Sequence, residues 1–318
     1  MKILITGGAG FIGTNAVSLF SKEGHEVINI DKLGIGSVKK NIKMVQSHFI
    51  KMDISKKFPV EFVDDVDLII NFASESHVDR SIVNPVFFYK NNVSLVINIL
   101  EALRKSRNNV RMVHVSTDEV YGDILNGSFT EESALKPSNP YSASKAAQDS
   151  FVLSYTRTYG LNISITRCTN NYGPFQYPEK LIPKTIIRSL KGMKIPIYGK
   201  GTNIRDWIYV EDHCKAIKIV AEKGNKGEVY NISAGNEVMN IDIVKMILNM
   251  MQKNENIIEY VEDRPGHDVR YSLNSEKIRK LGWLPETSFE NGLKKTIDWY
   301  MANKKWWYNL NNRNKYNI

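Results

Sequence analysis

Three constellations in the 318-residue chain could do chemistry. In Tyr141-Ser142-Ala143-Ser144-Lys145 a phenol and an ammonium stand four residues apart, on one face if the segment is helical. A phenol titrates near pH ~10, so using one as a base at neutral pH takes roughly 4 kcal/mol of differential stabilisation of the phenolate. Lys145 together with a second nearby cation is a suitable source. Such a tyrosinate can take the proton of a sugar hydroxyl while hydride leaves the same carbon. Spacing of this kind is common by chance. It gains weight from Ser116-Thr117, at the end of an apolar β-branched run.

The second constellation is Gly7-Gly8-Ala9-Gly10-Phe11-Ile12-Gly13, directly after Ile3-Leu4-Ile5. Glycines at a strand-to-helix turn let backbone N–H groups approach a pyrophosphate at the positive end of the following helix. The next apolar run ends at Asp31, eighteen residues beyond Gly13, where a carboxylate accepts from adenosine ribose hydroxyls. Together these features predict a dinucleotide site. Asp31 repels a ribose phosphate and so favours NAD over NADP, while Lys32 beside it pulls the other way. Asp53-Ile54, after a third strand, either holds the adenine edge or caps a helix. The third constellation, Asp118-Glu119 directly after Thr117, is either a solvated acidic pair or an acid and a base.

The elements that must position these groups are legible. Ile3-Leu4-Ile5, Val27 to Ile30, Leu68-Ile69-Ile70 and Val113-His114-Val115 read as strands buried on both faces. Between them Phe11 to Lys22, roughly Val86 to Arg104 and roughly Tyr141 to Tyr159 have helical periodicity. The repeat predicts an α/β fold, a doubly wound parallel Rossmann sheet, over residues 1–173. Beyond Pro174 prolines and glycines break the chain into shorter pieces, predicting a smaller mixed α/β substrate lobe over 174–318, with later segments returning to the first domain. In that lobe Ile241 to Met251 and Phe289 to Tyr300 read as helices, and Arg205 to Val210 and Glu228 to Ile232 as strands. The 92–104 helix carries two apolar stripes: Val93, Val96, Ile97, Leu100 and Leu103, and then Leu95, Ile99 and Ala102. One stripe suffices to dock on a sheet. The surplus predicts a covering layer or, in preference, a homodimer interface formed with 141–159.

Composition sets the bounds. Apolar residues at 42% and charged residues at 24% exclude a disordered chain, and Lys+Arg 43 against Asp+Glu 34 gives +9, a field that attracts anions. Cys168 and Cys214 are too few for a disulfide framework, which predicts small buried thiols in a reducing cytoplasm. No signal-peptide pattern opens the chain and no run of about 18 apolar residues occurs, so no membrane span is expected. His77 and His114 read as structural histidines, and no spacing of a metal site appears. Lys304-Lys305-Trp306-Trp307 reads as tryptophans capping the smaller lobe with solvated lysines, in preference to a nucleic-acid contact.

Joined together, the glycine turn, Ser116-Thr117 and Tyr141/Lys145 resemble the extended short-chain dehydrogenases that act on nucleotide sugars. The likeness to their 4,6-dehydratase branch is carried by Ser116 to Gly122, Ser76 to Ser81, Asn170 to Pro174, Pro178 to Pro183, Ile204 to Trp207 and Asp263 to Asp268. The resemblance implies a lyase that holds NAD and acts on dTDP-glucose. Thr117, Tyr141 and Lys145 would oxidise the sugar at C4, Glu119 would take the C5 proton, and Asp118, protonated, would give a proton to the departing C6 hydroxyl. It implies cofactor contacts from Phe72, Ala73 and Asn171 as well as from the glycine turn, Asp31, Lys32, Asp53 and Ile54. Ser76 and Thr117 would touch the hexose. Asn170, Lys180 and Leu181 would border the diphosphate, Pro196 and Tyr198 the pyrimidine, and Arg205, Asn240, Arg264 and His267 would complete the grip. The chain has Ala73-Ser74-Glu75-Ser76 where the family usually has a second alanine. A UDP-sugar 4,6-dehydratase or a 4-epimerase stays open, and more distantly a non-catalytic NAD- or RNA-binding protein. The acidic pair favours dehydration, since an epimerase needs no further acid and base.

Overall fold

Ile3 and Ile5 lie in one apolar core and Leu4 in another, all fully buried. A strand that alternates between two cores has both faces covered, which parallel sheets require. The computed structural model, which describes residues 1–263, 267–308 and 310, supplies that sheet. Its strands in chain order are β1 (Lys2–Thr6), β2 (Glu26–Asp31), β3 (His48–Lys51), β4 (Leu68–Asn71), β5 (Arg111–Thr117) and β6 (Ile163–Cys168). Helices α1 (Phe11–Lys22), α2 (Lys39–Ile42), α3 (Glu61–Asp64), α4 (Val78–Val83), α5 (Pro85–Lys105) and α6 (Pro140–Tyr159) connect them. The expected Rossmann-like α/β architecture is therefore present.

The smaller lobe and the return segments contain β7 (Asn170–Tyr172), α7 (Leu181–Lys191), β8 (Ile195–Tyr198), β9 (Ile204–Tyr209), α8 (Val210–Lys223), β10 (Val229–Ile232), β11 (Glu237–Met239), α9 (Asn240–Met250) and β12 (Ile258–Val261). Then come α10 (Glu276–Arg279), α11 (Phe289–Ala302) and α12 (Lys304–Tyr308). The main sheet has the order β10-β6-β5-β4-β1-β2-β3, parallel throughout. From β1 the chain builds outward through β2 and β3, then crosses back to β4 on the other side. The crevice at the carboxyl ends of β1 and β4 is where such a sheet takes a ligand.

Two expectations are corrected. The strand at Glu228 to Ile232 does not belong to the smaller lobe, because β10 pairs with β6 and so covers the last edge of the main sheet. With α8, whose Val210, Cys214, Ile217 and Val220 join the core under α1, it completes that face. The surplus stripe of α5 is not left for another subunit either. Leu95, Ile99 and Ala102 are buried in the same core as Val96, Leu100 and Leu103, and Val152 of α6 joins them there. Periodicity detects two apolar stripes and does not say whether the second layer comes from the same chain.

In the smaller lobe Tyr172, Trp207, Tyr209, Phe289, Trp306 and Trp307 form an aromatic core. As expected, the tryptophans of α12 are buried while Lys304 and Lys305 are exposed. Trp306 Nε1 donates to Asn41 Oδ1 at 2.7 Å, tying this lobe to α2. No helix among the described residues is long and apolar enough to cross a membrane.

Candidate active site

The glycine turn closes on the next strand so tightly that side chains are excluded. Gly7 has φ +74°, and a Cβ there would lie 2.8 Å from the Ala73 nitrogen; at Gly13 it would lie 2.2 Å from the Gly7 carbonyl oxygen. That approach leaves Gly7, Gly10, Phe11, Ile12 and Gly13 on the wall of one cavity of about 450 Å³, shared with Phe72 and Ala73. Asp31 lines it too, at the end of β2. Its buried carboxyl accepts from the Ala9 N–H at 3.1 Å, the Leu33 N–H at 2.7 Å and the Ser37 hydroxyl at 3.0 Å. Lys32, Asp53 and Ile54 lie on the same wall, and Asp53 Oδ1 accepts from both the N–H and the hydroxyl of Ser55. A cradle that a Cβ would fill, at a helix start, with a buried acceptor at the end of the next strand, fits a dinucleotide.

Further along the cavity, β5 ends at Thr117 and turns into the short 3₁₀ helix Asp118–Val120. Thr117 caps that turn by accepting from the Glu119 N–H at 3.3 Å, and its hydroxyl donates to Asp118 Oδ1 at 3.1 Å. Asp118 Oδ2 is buried with no hydrogen-bond partner among the described residues. Burial first, and then the neighbouring Glu119, push the Asp118 carboxyl well above the usual carboxylate range. A carboxyl moved in that direction is suited to giving a proton, and both it and Glu119 line the cavity.

Helix α6 begins at an Asn139 capping box with Pro140 in its first turn, which places Tyr141 against the end of β5. The Thr117 hydroxyl hydrogen-bonds the phenol. Lys145, fully buried, donates from Nζ to the Val115 carbonyl at 2.8 Å and to Gln148 Oε1 at 2.6 Å. Burial lowers its ammonium to about 8. Without a second cation beside it, the Tyr141 phenol is held well above its ordinary value, by burial first and then by Glu119, Cys168 and Asp118. Lysine spacing shows that an ammonium is near, whereas the desolvation of the phenol comes from folding.

The remaining expected residues converge on the same cavity. Ser76, Asn170, Lys180, Leu181, Pro196, Tyr198, Arg205, Asn240 and His267 all line it. Lys180 Nζ donates to the Ser76 carbonyl at 3.2 Å, and Asn170 Oδ1 is buried without a partner. The Arg205 guanidinium donates to the carbonyls of Ile204 and Asp268 and lies 4.4 Å over the Tyr271 ring. His267 Nδ1 is 2.6 Å from Asp263 Oδ1. Arg264 lies outside the described residues. Asn171 also lines the cavity, its Oδ1 held by His213 Nδ1 at 2.8 Å. The histidines have structural roles: His114 is buried against Asn71 at 2.9 Å, and His77 caps α4 by accepting from the Arg80 N–H. Among the described residues no group of three or more His, Cys, Asp or Glu is placed to hold a metal.

Sequence reasoning missed Gln148, Tyr271 and His213. Gln148 carried a signal, standing three residues after Lys145 on one helical face. Tyr271 and His213 carried none, because only the fold brings Tyr271 to Arg205 and His213 of α8 to Asn171.

A glycine-turn crevice that opens onto a Tyr141/Lys145 helix defines the extended short-chain dehydrogenase class. Residues 4–296 match a model of the GDP-mannose 4,6 dehydratase family. The chain is 43% identical over 340 residues to dTDP-glucose 4,6-dehydratase 1 of Escherichia coli K12, covering 96% of this chain and 94% of that one. It is 44% identical over 322 residues to the Streptomyces niveus dTDP-glucose 4,6-dehydratase, covering 96% and 95%. The dTDP-glucose 4,6-dehydratase of Streptomyces venezuelae, solved with NAD bound, superimposes with a TM-score of 0.93 at 42% identity, covering 98% of this chain and 100% of that one. A UDP-glucose 4-epimerase from Thermotoga maritima also superimposes, with a TM-score of 0.88, but at 28% identity, covering 96% and 100%. The chain belongs to the dTDP-glucose 4,6-dehydratase family.

The protonation state of Asp118 can be read directly. At pH 7 the free protein should show an infrared C=O stretch of a protonated carboxyl that disappears in Asp118→Asn. If the native and substituted spectra coincide at that pH, the carboxyl is ionised and the assignment is wrong.

Proposed function

We propose that this protein is a lyase that converts dTDP-glucose to dTDP-4-keto-6-deoxyglucose and water with NAD held throughout. The observation that carries this reading is the buried Asp118 beside Glu119 at the end of β5, across from Tyr141. A carboxyl pushed up by burial is suited to giving a proton and its neighbour at the cavity wall to taking one, which is what an elimination needs. Simple inversion at C4 uses neither.

The dinucleotide's contacts would come from Gly7, Gly10, Phe11, Ile12 and Gly13, from Asp31, Lys32, Asp53 and Ile54, and from Phe72, Ala73 and Asn171. When bound, it supplies a cationic nicotinamide ring that takes a hydride from C4 and gives it back at C6. Tyr141, through Thr117, takes the proton of the C4 hydroxyl. Because the protein alone holds this phenol neutral, the positive charge that makes it basic comes from Lys145 and that ring together. Lys145, anchored by Val115 and Gln148, keeps one donor for the cofactor ribose.

With C4 a ketone, the carbanion at C5 is delocalised into the carbonyl, so the C5 proton is acidic. Glu119 removes it while Asp118 gives its proton to the leaving C6 hydroxyl, which departs as water. C6 is then reduced, and C5 regains a proton from Glu119. No net redox change occurs.

The diphosphate is gripped by Lys180 and Asn170 beside Leu181, and by Arg205, whose fork suits phosphate oxygens. Asn240 and His267 stand beside it, Pro196 and Tyr198 flank the base, and Ser76 meets the hexose with Thr117. Buried free thiols at Cys168 and Cys214 agree with work in a reducing cytoplasm. The molecule is a homodimer. Phe151 and Tyr159 of α6, 37% and 51% exposed, leave an outward aromatic stripe with half-buried Tyr155, whose ring lies 5.0 Å from that of Tyr159. Sedimentation equilibrium at micromolar concentration should give twice the chain mass, and a pure monomer contradicts the dimer.

Glu119→Gln separates the steps. The variant should still bind NAD and reduce it on mixing with dTDP-glucose, with absorbance rising near 340 nm, but release water about 10²–10⁴-fold more slowly. Elimination at the native rate removes Glu119 from the mechanism.

A further inference from the structure

Lys32 directly follows the acid that receives the adenosine ribose, so its ammonium is within reach of any group carried on that ribose. Yet the structure commits it elsewhere. Its Nζ lies 3.1 Å from Glu75 Oε1 and 2.6 Å from Asn91 Oδ1, and sits 5.4 Å over the Phe87 ring. Glu75 is a buried carboxylate from the loop after β4, and its backbone is fixed from both sides. Its N–H donates to Asn92 Oδ1 at 2.8 Å, and its carbonyl accepts from Asn92 Nδ2 at 3.0 Å. That same Nδ2 reaches Ser144 Oγ on α6 at 2.9 Å. The loop after β2 closes over the pair: a Cβ on Gly34 would lie 2.9 Å from Lys32 Cε and 3.1 Å from Glu75 Oε1. Lys32, Gly34, Glu75 and Asn91 all line the cavity beside Asp31.

We propose that Glu75 determines the choice of NAD over NADP by holding the Lys32 ammonium in an ion pair. The inference rests on the dinucleotide reading above and adds to it a second determinant besides Asp31. Around the ribose stand two carboxylates and one ammonium, a balance of one negative charge. A ribose diol donates to such a site at no electrostatic cost, whereas a 2′-phosphate meets net repulsion and finds Lys32 already paired. Removing the carboxylate while keeping the shape of the side chain leaves Asp31 and Lys32 balanced, and frees the ammonium to turn to the phosphate.

The test is calorimetric titration of the full chain, cleared of carried-over nucleotide, with NAD and with NADP. Native protein should bind NAD, and Glu75→Gln should reduce the ratio of the NADP to the NAD dissociation constant by about tenfold or more. In Glu75→Gln/Lys32→Met that gain should vanish. Lys32→Met alone, which does not depend on the folding of the Glu75 variant, leaves two carboxylates with no cation and should not lower the ratio of the NADP to the NAD dissociation constant. An unchanged ratio in Glu75→Gln, or a ratio that falls tenfold in Lys32→Met, overturns the ion-pair role while leaving NAD binding intact. Native protein that binds neither nucleotide overturns the cofactor reading itself, and this inference with it.

Discussion

Two carboxyl groups on consecutive residues, one wholly inside the protein and one at the cavity wall, cannot share a low-dielectric site and both stay ionised. Here the conflict is settled by position. Asp118 is buried behind Thr117 with one oxygen unpartnered among the described residues, and burial pushes its carboxyl well above the usual carboxylate range. The same pair on an exposed turn would be two ordinary carboxylates with no division of labour. The proposed division of labour thus depends on where β5 ends, since that point decides which carboxyl is desolvated.

The rest of the fold serves that position. β5 lies between β4 and β6 in the parallel sheet, and α6 crosses its end from a capped, proline-started first turn. The glycine turn after β1 comes within contact of Ala73 after β4, so the dinucleotide crevice and the acid pair open into one cavity. β7 and β9 then bring Asn170, Asn171 and Arg205 to the same rim. Buried polar side chains hold the helices in place: Gln148 bridges Lys145 to the Asn92 carbonyl, and Asn92 bridges Glu75 to Ser144.

Much of this is legible in the residues. Runs such as Leu68-Ile69-Ile70 have no polar side and so read as strands covered on both faces. The glycine turn and Asp31 announce a dinucleotide by their spacing alone. What the sequence does not carry is contact between distant segments. Nothing in Val229 to Ile232 says that it pairs with β6, and nothing in Leu95, Ile99 and Ala102 says that α6 covers them. For the same reason the site is legible in composition but not in protonation: Tyr141 and Asp118 are both moved by burial, which only the packed chain defines. Lys32 beside Asp31 looks like a cation poised for phosphate until Glu75, brought from another loop, is seen to pair with it.

The central claim is that a proton leaves and returns at one ring carbon between the two redox events. Turnover of dTDP-glucose in heavy water, followed by NMR and mass analysis of the product, tests it. One solvent deuterium bound to carbon at C5, with the methyl group receiving its hydride from within the same complex, is the outcome this account requires. A product formed at full rate with only protium at C5 contradicts it.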